Sequence, residues 1–185
     1  MTQHGDTPPT EQEQMAALRA AYPTPDDLVS RMHRELDAFG AVIRAAEPHW
    51  NTVQPGRGWT PAQELEHAII INEGTGRLVR LLRSDKEIRQ PPQVPGEYEN
   101  GKRQAPASTI PTGDQTPEQL LERHAATRDL LAVAAPADPG RTFYHPFMGQ
   151  LDALDWLRMA AYQTRHHRQA VERGLAALGG AAPVR

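Results

Sequence analysis

The chain lacks cysteine, an excess of basic charge and any long apolar run. It has 185 residues, no cysteine and a formal net charge of −3. The absence of cysteine excludes disulfides, thiolate metal ligands and a cysteine nucleophile, so imidazole nitrogens and oxygen atoms are the ligands left for a metal. A negative total charge without a clustered basic face argues against nucleic acid and anionic membrane as partners.

No apolar run approaches the roughly 20 residues that a membrane-spanning helix needs. The polar start, residues 1–14, also lacks the apolar segment of a secretory signal. We therefore expect a soluble, cytoplasmic protein. Its length predicts one domain with a substantial core.

Proline and glycine separate four segments with helical periodicity. The clearest start is Thr60-Pro61-Ala62-Gln63, where threonine fits the N-cap, proline the first helical position and glutamine the capping box. The sequence predicts an all-α four-helix bundle, with one short extended piece at 142–144. The predicted helices are 25–47, 60–84, 116–134 and 151–178. They form a bundle domain at 23–178, between a polar N-terminal tail (1–22) and a C-terminal tail (179–185) that we expect to pack little.

The connection at 86–114 is rich in proline and glycine. Such a long loop in a compact domain is typical of a mobile segment or of one folded over a site. Within the second helix, Gly74 and Gly76 each cost about 1 kcal/mol relative to alanine. They therefore predict close packing or the approach of a ligand.

Two histidines on different helices are predicted to face inward. At 100° per residue, His67 is turned away from a stripe predicted to be solvated, which contains Glu66, Glu73, Arg77 and Arg80. The same count on the fourth helix groups His166 with Met159, Tyr162 and Ala170. Facing helices of a bundle can hold a divalent metal in this way. A single histidine on an apolar face is, however, more often a hydrogen-bonded core residue.

Two segments resemble the DinB-like (DinB/YfiT) superfamily. Residues 58–67, Gly-Trp-Thr-Pro-Ala-Gln-Glu-Leu-Glu-His, are similar to the start of its second helix. Pro146-Phe147-Met148-Gly149, Trp156-Leu157 and residues 165–169 are similar to its last helix. The resemblance implies a four-helix bundle of up-down-down-up type, commonly homodimeric. It also implies a cleft metal held by three histidines, one on the second helix and a His-x-x-x-His pair on the fourth.

Carried onto this chain, the resemblance assigns His67 and His166 as outer ligands of zinc or nickel. Tyr162 then stands where the family has its middle histidine. A neutral phenol, with a pKa near 10, is a poor ligand. Gln163 and His167 form another i,i+4 pair, on the flank of the helix. His124 or His145 could also approach from elsewhere in the fold.

Two functions follow from the resemblance. One is a divalent-metal-dependent hydrolase or thiol S-transferase with an altered site made of His67, Tyr162 and His166, acting on a small-molecule or thiol substrate. The alternative is a metal-free bundle that has lost the family site and binds a small molecule or a partner.

Overall fold

The described part of the chain contains five α-helices and two short hairpins. The computed structural model describes residues 10–131 and 137–179. The helices are α1 (Glu11–Ala21), α2 (Pro25–Ala46), α3 (Pro61–Leu82), α4 (Pro117–Leu131) and α5 (Ala153–Gly179). The strands are β1 (Tyr98–Glu99), β2 (Lys102–Arg103), β3 (Phe143–His145) and β4 (Gly149–Leu151).

Helices α2 to α5 form the predicted four-helix bundle. Both α2 and α3 pack against α4 and α5, whereas α2 and α3 have little contact with each other. They therefore occupy one diagonal of the bundle. The predicted helices at 25–47, 60–84 and 151–178 agree with α2, α3 and α5 within two residues at each end. The predicted end of the third helix, at 134, lies outside the described residues.

Capping explains why these boundaries were predictable. Thr60 accepts from the backbone N–H of Gln63 at 3.3 Å, and the Gln63 side chain accepts from the backbone N–H of Thr60 at 3.1 Å. Thr116 and Gln119 make the same reciprocal pair at the start of α4. Both pairs satisfy amide groups that a helix start leaves without an intrahelical partner.

The N-terminal segment does not match the prediction of a loosely packed tail. Residues 11–21 form α1, which Thr10 and Glu13 cap reciprocally. Met15 is buried against Leu151 and Met159, and Arg19 pairs with Asp155 of α5. The apolar stripe of α1 is narrow, and this is why its periodicity was missed. Residues 1–9 and 180–185 lie outside the described residues.

The connection at 86–114 contains structure of its own. Strands β1 and β2 pair in an antiparallel hairpin, turned by Asn100 and Gly101 with φ of 51° and 73°. Positive φ at both turn positions is the conformation that a tight hairpin favours. Strands β3 and β4 form a second hairpin, which includes most of the extended piece predicted at 142–144.

One of the two helical glycines marks a close helix contact. A Cβ at Gly76 would lie 2.5 Å from Cβ of Leu130, so α3 and α4 approach too closely there for a side chain. At Gly74 nothing lies within 4 Å of that position. The predicted close packing is therefore confirmed for Gly76, and Gly74 faces open space.

No helix in the described ranges is long and apolar enough to cross a membrane.

Candidate functional site

The first turns of α3 bring a carboxylate and an imidazole to the side of the bundle that faces α5. Glu64 and His67 stand three residues apart, which places them on the same face of a helix. Both are buried, with relative exposures of 2% and 4%. The capped helix start therefore fixes the direction in which both side chains point.

Glu64 is the centre of a buried ionic network. Its Oε1 accepts from Nη2 of Arg57 at 2.7 Å and from Nδ1 of His167, on α5, also at 2.7 Å. Burial alone would raise the pKa of Glu64, but the hydrogen bonds and charges of these two partners outweigh it and hold the pKa at about 2. Glu64 is therefore a carboxylate at neutral pH and joins α3, α5 and the segment before α3.

His67 is held by the long connection that precedes α4. Its Nδ1 lies 2.6 Å from the backbone oxygen of Thr109. Because a carbonyl oxygen only accepts, Nδ1 carries the hydrogen and Nε2 keeps a lone pair. Burial lowers the pKa of His67 to about 4, although the bond to Thr109 opposes the shift. The imidazole is thus neutral at pH 7. The ring of Trp59 covers one side, with centroids 4.8 Å apart.

The facing residues on α5 are Gln163 and His167, one helical turn apart. The ring of His167 meets that of His67 edge to face, with centroids 4.9 Å apart. Nδ1 of His167 donates to Glu64, so its Nε2 remains available to accept a hydrogen bond. The amide nitrogen of Gln163 lies 2.8 Å from that Nε2 and donates to it. His67, Gln163 and His167 therefore form one cluster, which we call the His–Gln–His cleft.

This arrangement corrects the assignment of Tyr162 and His166 from the sequence. His166 is exposed and Tyr162 half-buried, and their rings stack on each other at 6.2 Å. His166 adjoins the cleft only through the edge of His167, at 5.3 Å between centroids. One residue along a helix is a rotation of about 100°. His167 therefore takes the inward direction that was predicted for His166, and the i,i+4 pair facing His67 is Gln163 and His167.

The two other histidines considered as ligands have separate roles. Nε2 of His124 donates to the backbone oxygen of Leu36 at 2.8 Å, between α4 and α2. Nδ1 of His145 accepts from the backbone N–H groups of Phe147 and Met148 in the turn from β3 to β4. Both stabilise local structure away from the cleft.

The cleft does not fit the three-imidazole centre that the resemblance implies. Within residues 10–131 and 137–179, no cluster of three or more His, Cys, Asp or Glu side chains is arranged to hold a metal ion. Two imidazoles are present, and a carboxamide occupies the third position. The lone pair of His167 Nε2, which would face a metal, already accepts a hydrogen bond from that amide.

Glu66 belongs to the same end of the bundle, contrary to the prediction that it lies on a solvated stripe. It is buried, and its carboxylate accepts from the backbone N–H of Gly113 at 2.6 Å and from the side chains of Thr112 and Gln115. With the bond from His67 to Thr109, it ties residues 109–115 over α3. The last part of the long connection is therefore held against α3 beside His67. The sequence analysis predicted that the connection is either mobile or folded over a site, but it did not predict that Glu66 holds it.

Fold and site together define a helical bundle with a buried polar cluster between two facing helices. A family model described as the DinB superfamily matches residues 33–171, which is more than half of the chain. The chain belongs to the DinB superfamily. This confirms the resemblance seen in the sequence.

Comparison with solved structures supports the same fold. The crystal structure of TT2238, a four-helix bundle protein, is similar with a TM-score of 0.54 and 30% sequence identity, covering 80% of this chain and 98% of that one. The chain is also 38% identical over 85 residues to the chromatin modification-related protein eaf-1 of Neurospora crassa. That match covers 43% of this chain and spans 4% of the length of the curated relative, so it carries no argument about function.

Proposed function

We propose that this DinB-superfamily protein binds a small molecule in the His–Gln–His cleft through hydrogen bonds, without a resident metal. The single observation that carries the proposal is the donation from the Gln163 amide to Nε2 of His167, at 2.8 Å. The amide of Gln163 provides a hydrogen-bond donor for the Nε2 of His167 from within the protein. It also replaces the ligand that would complete a three-nitrogen site.

Charge and burial indicate what the cleft would recognise. His67 is neutral at pH 7, and no described residue hydrogen-bonds to its Nε2. A neutral imidazole nitrogen accepts a hydrogen bond, so the matching ligand group is a hydroxyl or an N–H. Trp59, whose ring is tilted by 57° against the same imidazole, offers an apolar surface beside it. The ligand class is therefore a neutral molecule that pairs a donor with a flat or aliphatic portion.

A metal-dependent hydrolase or thiol S-transferase is the second candidate, and one observation favours it. Nδ1 of His67 is anchored to a carbonyl oxygen and Nδ1 of His167 to a carboxylate. Such anchoring orients imidazoles for metal binding through Nε2. Zinc or nickel would then be coordinated by two histidines, His67 and His167. Of the residues assigned from the sequence, only His67 stays in this site, and Gln163 and His167 replace Tyr162 and His166.

Elemental analysis separates the two candidates. Elemental analysis of protein purified without a chelator or a histidine tag should find far less than one zinc or nickel per chain. About one metal per chain would support the second candidate, because a structural or catalytic zinc site binds with such stoichiometry.

The binding proposal has its own direct test. A set of neutral alcohols and amides is screened by protein NMR, with the indole N–H of Trp59 as the reporter. Compounds that shift this signal saturably in the parent should fail to do so in His67→Ala, whereas His49→Ala, a half-buried histidine outside the cleft, should behave as the parent. Absence of any saturable shift would contradict the proposal.

We also propose that the protein is a cytoplasmic homodimer. The family resemblance supports this assembly, and closed twofold pairs are the commonest oligomers of soluble chains. Sedimentation at micromolar concentration should give the mass of a dimer. A monomer under those conditions would overturn the proposal.

A further inference from the structure

A cavity lies between the segment before α3 and the C-terminal half of α5. It has a volume of about 180 Å³ and is lined by Pro55, Gly56, Arg57, Ala170, Arg173, Gly174 and Ala177. None of the three cleft residues lines it. Among the described residues, the charged ones that line it are the two arginines. We infer that this cavity binds a small oxyanion, a phosphate or carboxylate group, between Arg57 and Arg173.

The wall of the cavity is fixed by a close contact between the segment before α3 and α5. Gln54 is buried, with 1% exposure, and its Nε2 donates to the backbone oxygen of Val171 at 3.1 Å. A Cβ at Gly174 would lie about 2.1 Å from Cδ of Gln54, so this approach requires a glycine there. The segment that carries Gly56 and Arg57 is therefore held against α5, and the cavity has a defined shape.

Both arginines have donors available for an oxyanion. A guanidinium has five N–H donors. Arg57 uses Nη2 for Glu64, and no described residue accepts from its other nitrogens. Arg173 is exposed and has no ion pair or hydrogen bond within residues 10–131 and 137–179. Two guanidinium groups that line one cavity suit phosphate and carboxylate better than a single point charge does.

Nearby carboxylates of the described residues pair with Arg57 but not with Arg173. Glu172, the neighbour of Arg173, accepts instead from Arg168 at 2.7 Å on the same helix. Glu64 faces Arg57 from inside the bundle and is shared with His167. The side of the cavity open to solvent therefore presents cationic groups, in a chain whose total charge is negative.

Arg57 links the two sites. An oxyanion in the cavity would bind the same guanidinium that donates to Glu64, the carboxylate that orients His167. The inference does not rest on the function proposed for the cleft, because His67 and its ligand chemistry play no part in it.

NMR titration of the full chain with inorganic phosphate, at constant ionic strength, tests the inference. We expect saturable shifts of the backbone amides of Gly56 and Gly174 and of the Arg57 Nε–H. Acetate titrated in the same way distinguishes a carboxylate from a phosphate preference, and saturation by either probe supports the site.

Arg173→Gln is the diagnostic variant, since this side chain is exposed and makes no hydrogen bond or ion pair within the described residues. It should weaken binding by at least about tenfold, which corresponds to about 1.4 kcal/mol. Arg165→Gln is the matched control, because Arg165 is an exposed arginine of α5 that does not line the cavity. Shifts that do not saturate with either probe, or equal weakening by the two variants, would overturn the inference.

Discussion

The imidazole of His67 on α3 lies edge to face with that of His167 on α5, at 4.9 Å between ring centroids. Each ring donates through Nδ1 to a fixed acceptor, the backbone oxygen of Thr109 or the carboxylate of Glu64. This pair locates the cleft between two helices that are distant in sequence.

Stability should depend on pH through His67. Its pKa falls from 6.5 to about 4 on folding, chiefly through burial. Between these values the unfolded chain binds a proton that the native chain does not, so the free energy of unfolding rises with pH across this window. A shift of that size corresponds to about 3 kcal/mol. Urea unfolding of His67→Gln from pH 4 to 6.5 should show a shallower dependence than the parent.

His49→Gln is the control for that experiment, because His49 lies outside the cleft. The pKa values of His124 and His145 are also lowered, mainly by burial, and they should leave a residual slope in every variant. A pH dependence of His67→Gln as steep as that of the parent would show that His67 is not buried in its neutral form.

Glu64 acts in a lower pH range. Its pKa is depressed from 4.5 to about 2, so its stabilising contribution is complete above pH 4.5 and is lost as the pH falls towards 2. We expect the stability difference between the parent and Glu64→Gln to shrink by about 3 kcal/mol between neutral pH and pH 2. Glu122→Gln, at an exposed position of α4, should show no such change. A difference that stays constant with pH would contradict the depressed pKa.

Glu66 should hold the last part of the long connection against α3. Glu66→Ala removes the charged acceptor for Gly113, Thr112 and Gln115. A hydrogen bond to a charged group contributes about 1.5–3 kcal/mol. Hydrogen exchange at the amide of Gly113 should accelerate, while exchange in the middle of α3 should change little. Glu122→Ala is the control. Unchanged protection at Gly113 in Glu66→Ala would show that this bond does not secure the segment.

Helix α1 should contribute to stability. Met15→Ala removes a side chain that is 4% exposed and packs on Leu151 and Met159. Truncation of a buried methionine costs about 2–5 kcal/mol, and the small size of this satellite cluster favours the lower end. Chemical denaturation should show this loss, with Gln12→Ala, at an exposed position of α1, close to the parent. Equal stabilities of parent and Met15→Ala would mean that α1 is not docked in solution.

The helices were predictable from sequence because their ends carry local chemistry. A threonine followed by proline and a capping glutamine fixes where α3 and α4 begin, whatever the rest of the chain does. The segment of α1 offers only Met15 and Leu18 as spaced apolar residues, which is too little to predict a helix. Its docking depends on Arg19 meeting Asp155, a contact between residues distant in sequence.

The site was predictable only in part. His67 is buried, as its predicted inward direction requires, although Glu66, which was predicted on the solvated stripe, is buried as well. On α5, the count of 100° per residue did not decide which of the adjacent His166 and His167 faces inward. A one-residue error in that count rotates the side chain by about 100°. A stripe of mostly small buried residues could have decided between them, since His167 lies on it and His166 does not. Its other members are Ala160, Thr164, Val171 and Gly174.

The position of the cleft is tested most directly by restoring the missing imidazole. Gln163→His should complete a three-nitrogen site with His67 and His167, and calorimetric titration should show Zn²⁺ binding at least about tenfold tighter than in the parent. Adding His67→Ala should abolish that gain. Tyr162→His, which places the same imidazole one residue earlier on α5, should give no comparable gain. A larger gain from Tyr162→His than from Gln163→His, or a Gln163→His gain that survives loss of His67, would contradict the cleft described by His67, Gln163 and His167.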